Sequence, residues 1–304
     1  MFFAGIMSDG GNFDGITAIM VIFRKASALS AHLARLRSRG QRSGFVPTMG
    51  ALHEGHISLI RQAKQEADFV VCSIFVNPTQ FNDPSDFARY PITTENDLSL
   101  LLLAENDIVF LPTVEEIYPP GMVRRHYDLG YLETILEGKY RPGHFQGVCQ
   151  VIDRFLQVVQ PDLFYLGQKD YQQCMVVGKL IGLLGLEDKV RLRIAPTRRE
   201  ADGLAMSSRN VRLSAAERTE ATSIYRALSG IREQLNKQPF PLLLSGAVSA
   251  LEKDGFRVDY VSIASANDLR PVENLESGEP LVALAAAFLG EVRLIDNLLL
   301  DKRS

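Results

Sequence analysis

At 304 residues, 46% of them hydrophobic, the chain is long for one core and comfortable for two. Lys plus Arg number 33 against 36 Asp plus Glu, a net charge of −3, so no excess of positive charge exists to track a phosphodiester backbone and nucleic acid is disfavoured as a partner. No apolar run is long enough to span a bilayer, which excludes a membrane partner, and Cys72, Cys149 and Cys174 are scattered with no Cys-x-x-Cys pair, which argues against a disulfide framework or structural zinc and for a reducing, cytoplasmic compartment.

Residues 1–19 carry Asp9 and Asp14 among irregular glycines, with no basic segment ahead of an apolar stretch, so they read as a flexible extension and not a secretory signal. Met20–Phe23 then reads as a strand and Ser27–Arg39 as a helix. From Gly44 onward, β-branched and aromatic runs alternate with segments of helical period. Strands are expected over Gly44–Thr48, Phe69–Val76, Ile108–Leu111, Leu163–Gly167 and Val190–Ala195, and helices over His56–Glu66, Glu95–Glu105, Gly147–Val159 and Tyr171–Leu184. This alternation is the form of an α/β, doubly wound parallel sheet, in which ligands sit beyond the carboxyl ends of the strands. After Pro196 the character changes. A polar loop, Arg198–Asn210, precedes a long helix Ser214–Leu235, a break at Pro239–Pro241, a helix Leu242–Asp254, and strands Asp259–Ala264, Leu281–Phe288 and Val292–Ile295. The expected division is therefore a nucleotide-binding domain over 20–197 and a smaller α+β domain over 198–304.

The sharpest motif is Pro47-Thr48-Met49-Gly50-Ala51-Leu52-His53-Glu54-Gly55-His56, between the first strong strand and a helix. Gly50 lets the chain turn, Gly55 allows a phosphate close to the main chain, and the free amides of the first helical turn face an anion. His53 and His56, three apart, can donate to phosphate oxygens. A metal would need a third ligand of matching kind, and His32, His126 and His144 show no such pattern. Met206-Ser207-Ser208-Arg209 adds hydroxyls and a guanidinium on the polar loop, suited to follow a triphosphate. Gly167-Gln168-Lys169-Asp170 lies at another strand-to-helix turn, with Lys169 suited to an α-phosphate and Asp170 to a ribose hydroxyl, although an ordinary helix cap is an even alternative. Asn77 and Gln80, in Asn77-Pro78-Thr79-Gln80-Phe81, and Gln173 offer uncharged donors and acceptors for a small hydroxy acid. Arg141-Pro142-Gly143-His144-Phe145 is a basic turn that could meet pyrophosphate or serve as a plain loop. For a nucleotide-bound Mg²⁺, Asp97 is preferred to Asp83 and Asp86 because it opens a helix near the presumed site.

Taken in order, these motifs, with Tyr90-Pro91 and Leu136-Glu137-Gly138, resemble the pantothenate synthetase family from about Met20 to Asn297. The paired His-x-Gly-His and Ser-Ser-Arg strings also resemble the wider nucleotidyl-transferring superfamily. The resemblance implies a Rossmann-like domain with a smaller carboxyl-terminal lid and a cytosolic, Mg²⁺-dependent homodimer. It implies that ATP and pantoate form an acyl-adenylate that β-alanine then captures. It further implies an ATP site from Met49–His56, Gly167–Asp170, the backbone near Arg198 and Met206–Arg209. His56 leads the catalytic set with His53, Lys169 and Arg209; Gln80, Gln173, Asn77 and Met49 hold pantoate, with Gln80 also near β-alanine. Residues 1–19 have no counterpart, and Thr79 replaces a frequent methionine. A dinucleotide-forming transferase, a tRNA synthetase fragment and a non-catalytic nucleotide sensor are the competing readings, and the first two leave the Asn77–Gln80 segment unexplained.

Overall fold

A computed structural model describes residues 2–7, 16–275 and 278–300. Its strands, in chain order, are β1 (Phe2–Met7), β2 (Ile16–Phe23), β3 (Ser43–Thr48), β4 (Phe69–Ile74), β5 (Ile108–Phe110), β6 (Leu163–Gly167) and β7 (Arg191–Ala195), followed by β8 (Arg257–Ser265), β9 (Leu281–Leu289) and β10 (Val292–Leu300). The first seven form one sheet in the order β1-β2-β5-β4-β3-β6-β7. All neighbours from β2 to β7 are parallel, and β1 is antiparallel to β2.

Alternation along each strand feeds two cores. Phe45, Val71, Phe110 and Phe164 pack with the helices Ala26–Arg37, His144–Val159 and Tyr171–Leu183 on one face. Val46, Cys72, Val109 and Tyr165 pack with Glu54–Glu66 and Thr94–Leu103 on the other. Burial on both faces is why the parallel strands read as near-continuous apolar runs. The three cysteines are buried and free. Among the described residues, no helix is long and apolar enough to cross a membrane.

Three expectations change. The extension over 1–19 is not simply flexible, because Phe2–Met7 pairs with Ile16–Phe23; residues 1 and 8–15 lie outside the described residues. The aromatic and β-branched content of both runs suits a ladder on the open edge of β2. The long helix over Ser214–Leu235 is divided into Ala215–Glu220, with a Ser214–Glu217 capping box, and Ser223–Gln234. The prolines at 239–241 start a helix instead of breaking one: Pro239 is the N-cap of Phe240–Lys253 and Pro241 lies in its first turn, where a missing N–H costs nothing. These helices pack on the antiparallel sheet β8-β9-β10 around a separate core that includes Leu228, Leu251 and Ala285.

Strand order reverses at β3: the chain goes from β3 to β4 and β5 on one side, then returns to β6 on the other. The carboxyl ends of β3 and β6 therefore open a crevice between two helix starts, the place where such sheets bind ligands. The loop after β4 closes one wall by a very tight approach. A Cβ on Gly147 would fall 2.0 Å from the Thr79 carbonyl oxygen, and Asn77 Nδ2 donates to the Gly147 carbonyl at 3.1 Å. Gly147→Ala should consequently destabilise the protein by about 1–3 kcal/mol, the usual cost of an extra methyl in a packed interior. The check is a lower urea midpoint at unchanged m; an unchanged midpoint would show that the 77–80 segment yields freely.

Candidate active site

The turn after β3 is held in an uncommon shape. Gly50 has φ +82 and Ala51 φ +48, and the amides of Ala51 and Leu52 donate to Asp97 at 3.0 and 2.8 Å. Thr93 Oγ1 donates to the same carboxylate at 2.9 Å, and Asp97 is 1% exposed. Asp97, expected to hold a nucleotide-bound Mg²⁺, anchors this turn, its two oxygens accepting three hydrogen bonds. Among the described residues no group of three or more His, Cys, Asp or Glu could hold a metal.

The histidines are fixed as donors. His53 caps the helix by accepting the Gly55 N–H at Nδ1, 3.1 Å, and His56 Nδ1 accepts the His53 N–H at 3.4 Å. With each Nδ1 an acceptor, each neutral ring carries its proton on Nε2, on the side facing the crevice. Gly55 serves this arrangement, since a Cβ there would sit 2.8 Å from the His53 ring. Burial, then the positive charge of Lys169, pushes His53 down to about 4. Burial, then His53 and Lys169, holds His56 well below the ordinary imidazole range.

Most of the expected residues meet in one cleft of about 210 Å³. Met49, His53, Gly55 and His56 line it with Gly167, Lys169 and Asp170, facing Arg198, Met206, Ser207, Ser208 and Arg209. Gln80, Gln173 and Asn77 line it too. Gly50, Ala51, Leu52, Glu54 and Gln168 do not line it. Glu54 instead pairs with Arg61, and Gln168 Nε2 turns away to Asn297 Oδ1 at 3.1 Å. Asn77 lines the wall but is consumed internally: its oxygen accepts from Tyr118 at 2.8 Å and Thr79, while Nδ2 donates to Gln80 Oε1 at 3.1 Å. It orients Gln80, whose Nε2 reaches Met49 Sδ at 2.9 Å.

The polar loop after β7 reaches the first motif through Ser208 Oγ, which donates to the Ala51 carbonyl at 2.9 Å. Its base is tied to the second sheet by Arg199, bidentate to buried Asp296 at 2.6 and 3.0 Å and stacked 4.2 Å from the Tyr225 ring. Asn297 Nδ2 donates to the Gln168 and Lys169 carbonyls at 2.9 and 2.8 Å.

His144 and Tyr90 belong to the cleft and had been given no role by sequence reasoning. Arg141 Nη1 lies 3.1 Å from His144 Nε2, and because a guanidinium can only donate, His144 must carry its proton on Nδ1, which donates to the Gln80 carbonyl at 2.7 Å. Burial and Arg141 push His144 down to about 3. Arg141 lines the cleft and is also paired with Glu137, 3.7 Å away. Glu137 accepts from Arg293 of β10 at 2.7 and 2.8 Å and from Tyr260 at 3.0 Å. Burial opposes ionisation of Glu137, but the Arg293 bonds outweigh it and bring the carboxyl down to about 2. Only the Arg-Pro-Gly-His string hinted at this network, since the partners of Glu137 lie 123 and 156 residues away in β8 and β10.

A doubly wound nucleotide-type domain, completed by a smaller α+β unit and bearing neutral histidine donors and a Lys-Arg pair at its switch point, defines the class. The chain belongs to the pantoate-beta-alanine ligase family, whose family model matches residues 21–299. It is 48% identical over 276 residues to a pantothenate synthetase of Pseudomonas fluorescens (90% of this chain, 95% of the relative) and 43% over 282 residues to one of Porphyromonas gingivalis (92% and 99%). The pantothenate synthetase of Thermus thermophilus superposes with TM-score 0.85 at 42% identity, covering 92% of this chain and 99% of that one. The pantoate-beta-alanine ligase of Francisella tularensis, complexed with beta-gamma ATP and beta-alanine, superposes with TM-score 0.78 at 36% identity, covering 92% and 97%.

Both His53 and His56 should appear as Nε2–H tautomers and His144 as Nδ1–H in ¹⁵N imidazole spectra, with none titrating between about pH 8 and 5. Because folding lowers His53 from 6.5 to about 4, the unfolded chain binds the proton first. Stability should therefore fall as pH drops through 6.5 towards 4. A titration of His56 near the free imidazole value would overturn the assignment.

Proposed function

We propose that this chain condenses pantoate with β-alanine at the expense of ATP, giving pantothenate, AMP and pyrophosphate through a pantoyl-adenylate. The observation that carries this reading is the pair of uncharged Nε2–H donors, His53 and His56, beside Lys169 and in one cleft with Gln80 and Gln173. ATP lies along Met49, His53, Gly55, His56, Gly167, Lys169, Asp170, Arg198 and Met206–Arg209. Pantoate lies against Met49, Gln80 and Gln173.

Charge dictates the sequence of events. The pantoate carboxylate attacks the α-phosphorus, and the P–O bond to pyrophosphate breaks. His53, His56, Lys169 and Arg209 donate to the oxygens on which charge builds. Neutral histidines do this without adding cations that would hold product too tightly. The free-base amine of β-alanine then attacks the mixed anhydride, AMP leaves, and one proton is lost. Tyr90, Ser207, Ser208 and Arg209 form the cleft wall that keeps water from the anhydride.

Mg²⁺ suits this site as an ion carried by the phosphates, because Asp97 is engaged and Asp86 is shared by two arginines; when bound it neutralises phosphate charge. Three buried free thiols support a reducing cytoplasm. A homodimer is the expected assembly, and Ile92, Leu103 and Val123 offer exposed apolar surface for a second copy.

The direct test is AMP release with pantoate and β-alanine, each omitted in turn. Pantoate alone should support exchange of labelled pyrophosphate into ATP, and strict dependence on β-alanine would exclude a separate adenylate step. His56→Ala and Lys169→Ala should each slow exchange by about a hundredfold or more, while ATP binding suffers less. Gln173→Leu should weaken the pantoate term by about 1–3 kcal/mol per lost contact and leave that of ATP near wild type. An unchanged pantoate dependence would remove Gln173 from the acid pocket.

A further inference from the structure

Arg209 does not reach the cleft alone. Asp86, on the short helix Pro84–Ala88 of the larger domain, accepts from Arg209 Nη2 at 2.8 Å and Nε at 3.4 Å. It also accepts from Arg212 Nη1 at 2.7 Å. Both arginines lie on the 3₁₀ turn Ser208–Arg212, and the Arg209 guanidinium lies 5.5 Å from the centre of the Tyr90 ring. One carboxylate thus bridges two guanidiniums across the mouth, joining the 84–90 segment to the Ser-Ser-Arg loop. Asp86, Arg209 and Arg212 also line a second cavity of about 350 Å³. The charges do not cancel: two cations share one anion, so the cluster stays positive towards a phosphate while its geometry is fixed. Without the carboxylate, the two guanidiniums would repel each other and the turn would lose its tie to the opposite wall.

We propose that Asp86 is a positioning residue of the reaction, holding Arg209 on the phosphates and the cleft shut over the acyl-adenylate. The proposal rests on the adenylate reading above. It opposes a simpler account in which Asp86 merely competes with ATP for Arg209. The two accounts diverge for Asp86→Asn, which keeps the shape and removes the charge. A competitor lost should tighten ATP binding and leave coupling intact. A latch lost should slow pyrophosphate exchange about tenfold and let water reach the anhydride.

The experiment measures AMP and pantothenate together in the full-length protein, with pantoate, ATP and β-alanine present. Wild type should release one AMP for each pantothenate, and Asp86→Asn about two or more. Asp86→Glu should bring the ratio back towards one, which a general loss of stability would not do. A one-to-one ratio in Asp86→Asn overturns the proposal, whether or not the KM for ATP falls. Should Asp86→Asn melt early, Arg212→Gln, which removes one of the two guanidiniums held by the same carboxylate, is judged by the same ratio. Absence of AMP from wild type would instead overturn the reaction itself.

Discussion

Asn297 of β10 uses its whole carboxamide on one short piece of chain. Its nitrogen serves the carbonyls of Gln168 and Lys169, and its oxygen takes the Gln168 side chain. The turn after β6 is therefore shaped from outside its own domain. With Arg199 fixed on Asp296 one residue earlier in β10, the same strand also sets the root of the loop that carries Ser207, Ser208 and Arg209. The cleft needs both pieces in place at once. A buried, bidentate guanidinium-carboxylate pair tolerates little sliding, because breaking it leaves a charge in low dielectric. Docking of the small sheet and assembly of the phosphate end are in this sense one event.

A second line of buried polar groups runs to Gln80. Arg293 and Tyr260 hold Glu137; Glu137 faces Arg141, Arg141 fixes the His144 tautomer, and His144 holds the Gln80 main chain. Each link has one possible polarity, since guanidinium only donates and carboxylate only accepts. The Gln80 side chain is fixed separately by Asn77 and Met49. Main chain and side chain are thus held by different neighbours, so Gln80 is fixed in place by the fold itself.

Electrostatics within the cleft follow from burial more than from ion pairing. His53 and His56 are kept neutral by desolvation first and by nearby positive charge second. Two backbone N–H groups then decide which ring nitrogen keeps the proton. The helix start that was expected to greet phosphate with bare amides uses two of them to orient imidazoles.

Local chemistry made much of this legible from the sequence. The β-branched runs and their spacing determined the six parallel strands, Gly50 announced a left-handed turn, and the motifs at the ends of β3, β6 and β7 marked most of the cleft. These are short-range effects, in which a residue's own conformational limits or its neighbours three to four positions away decide the outcome. That Asp97 anchors two amides 45 and 46 residues away was not legible, because a carboxylate at a helix start looks the same whether it faces a cation or distant N–H groups. Gly55 carried the right letter for another reason, the His53 ring. The parts played by His144, Asn297 and Asp86 were set by partners brought from distant strands and loops. Hydrogen-bond polarity and burial at such contacts are properties of the packed chain, and no periodicity along the sequence encodes them.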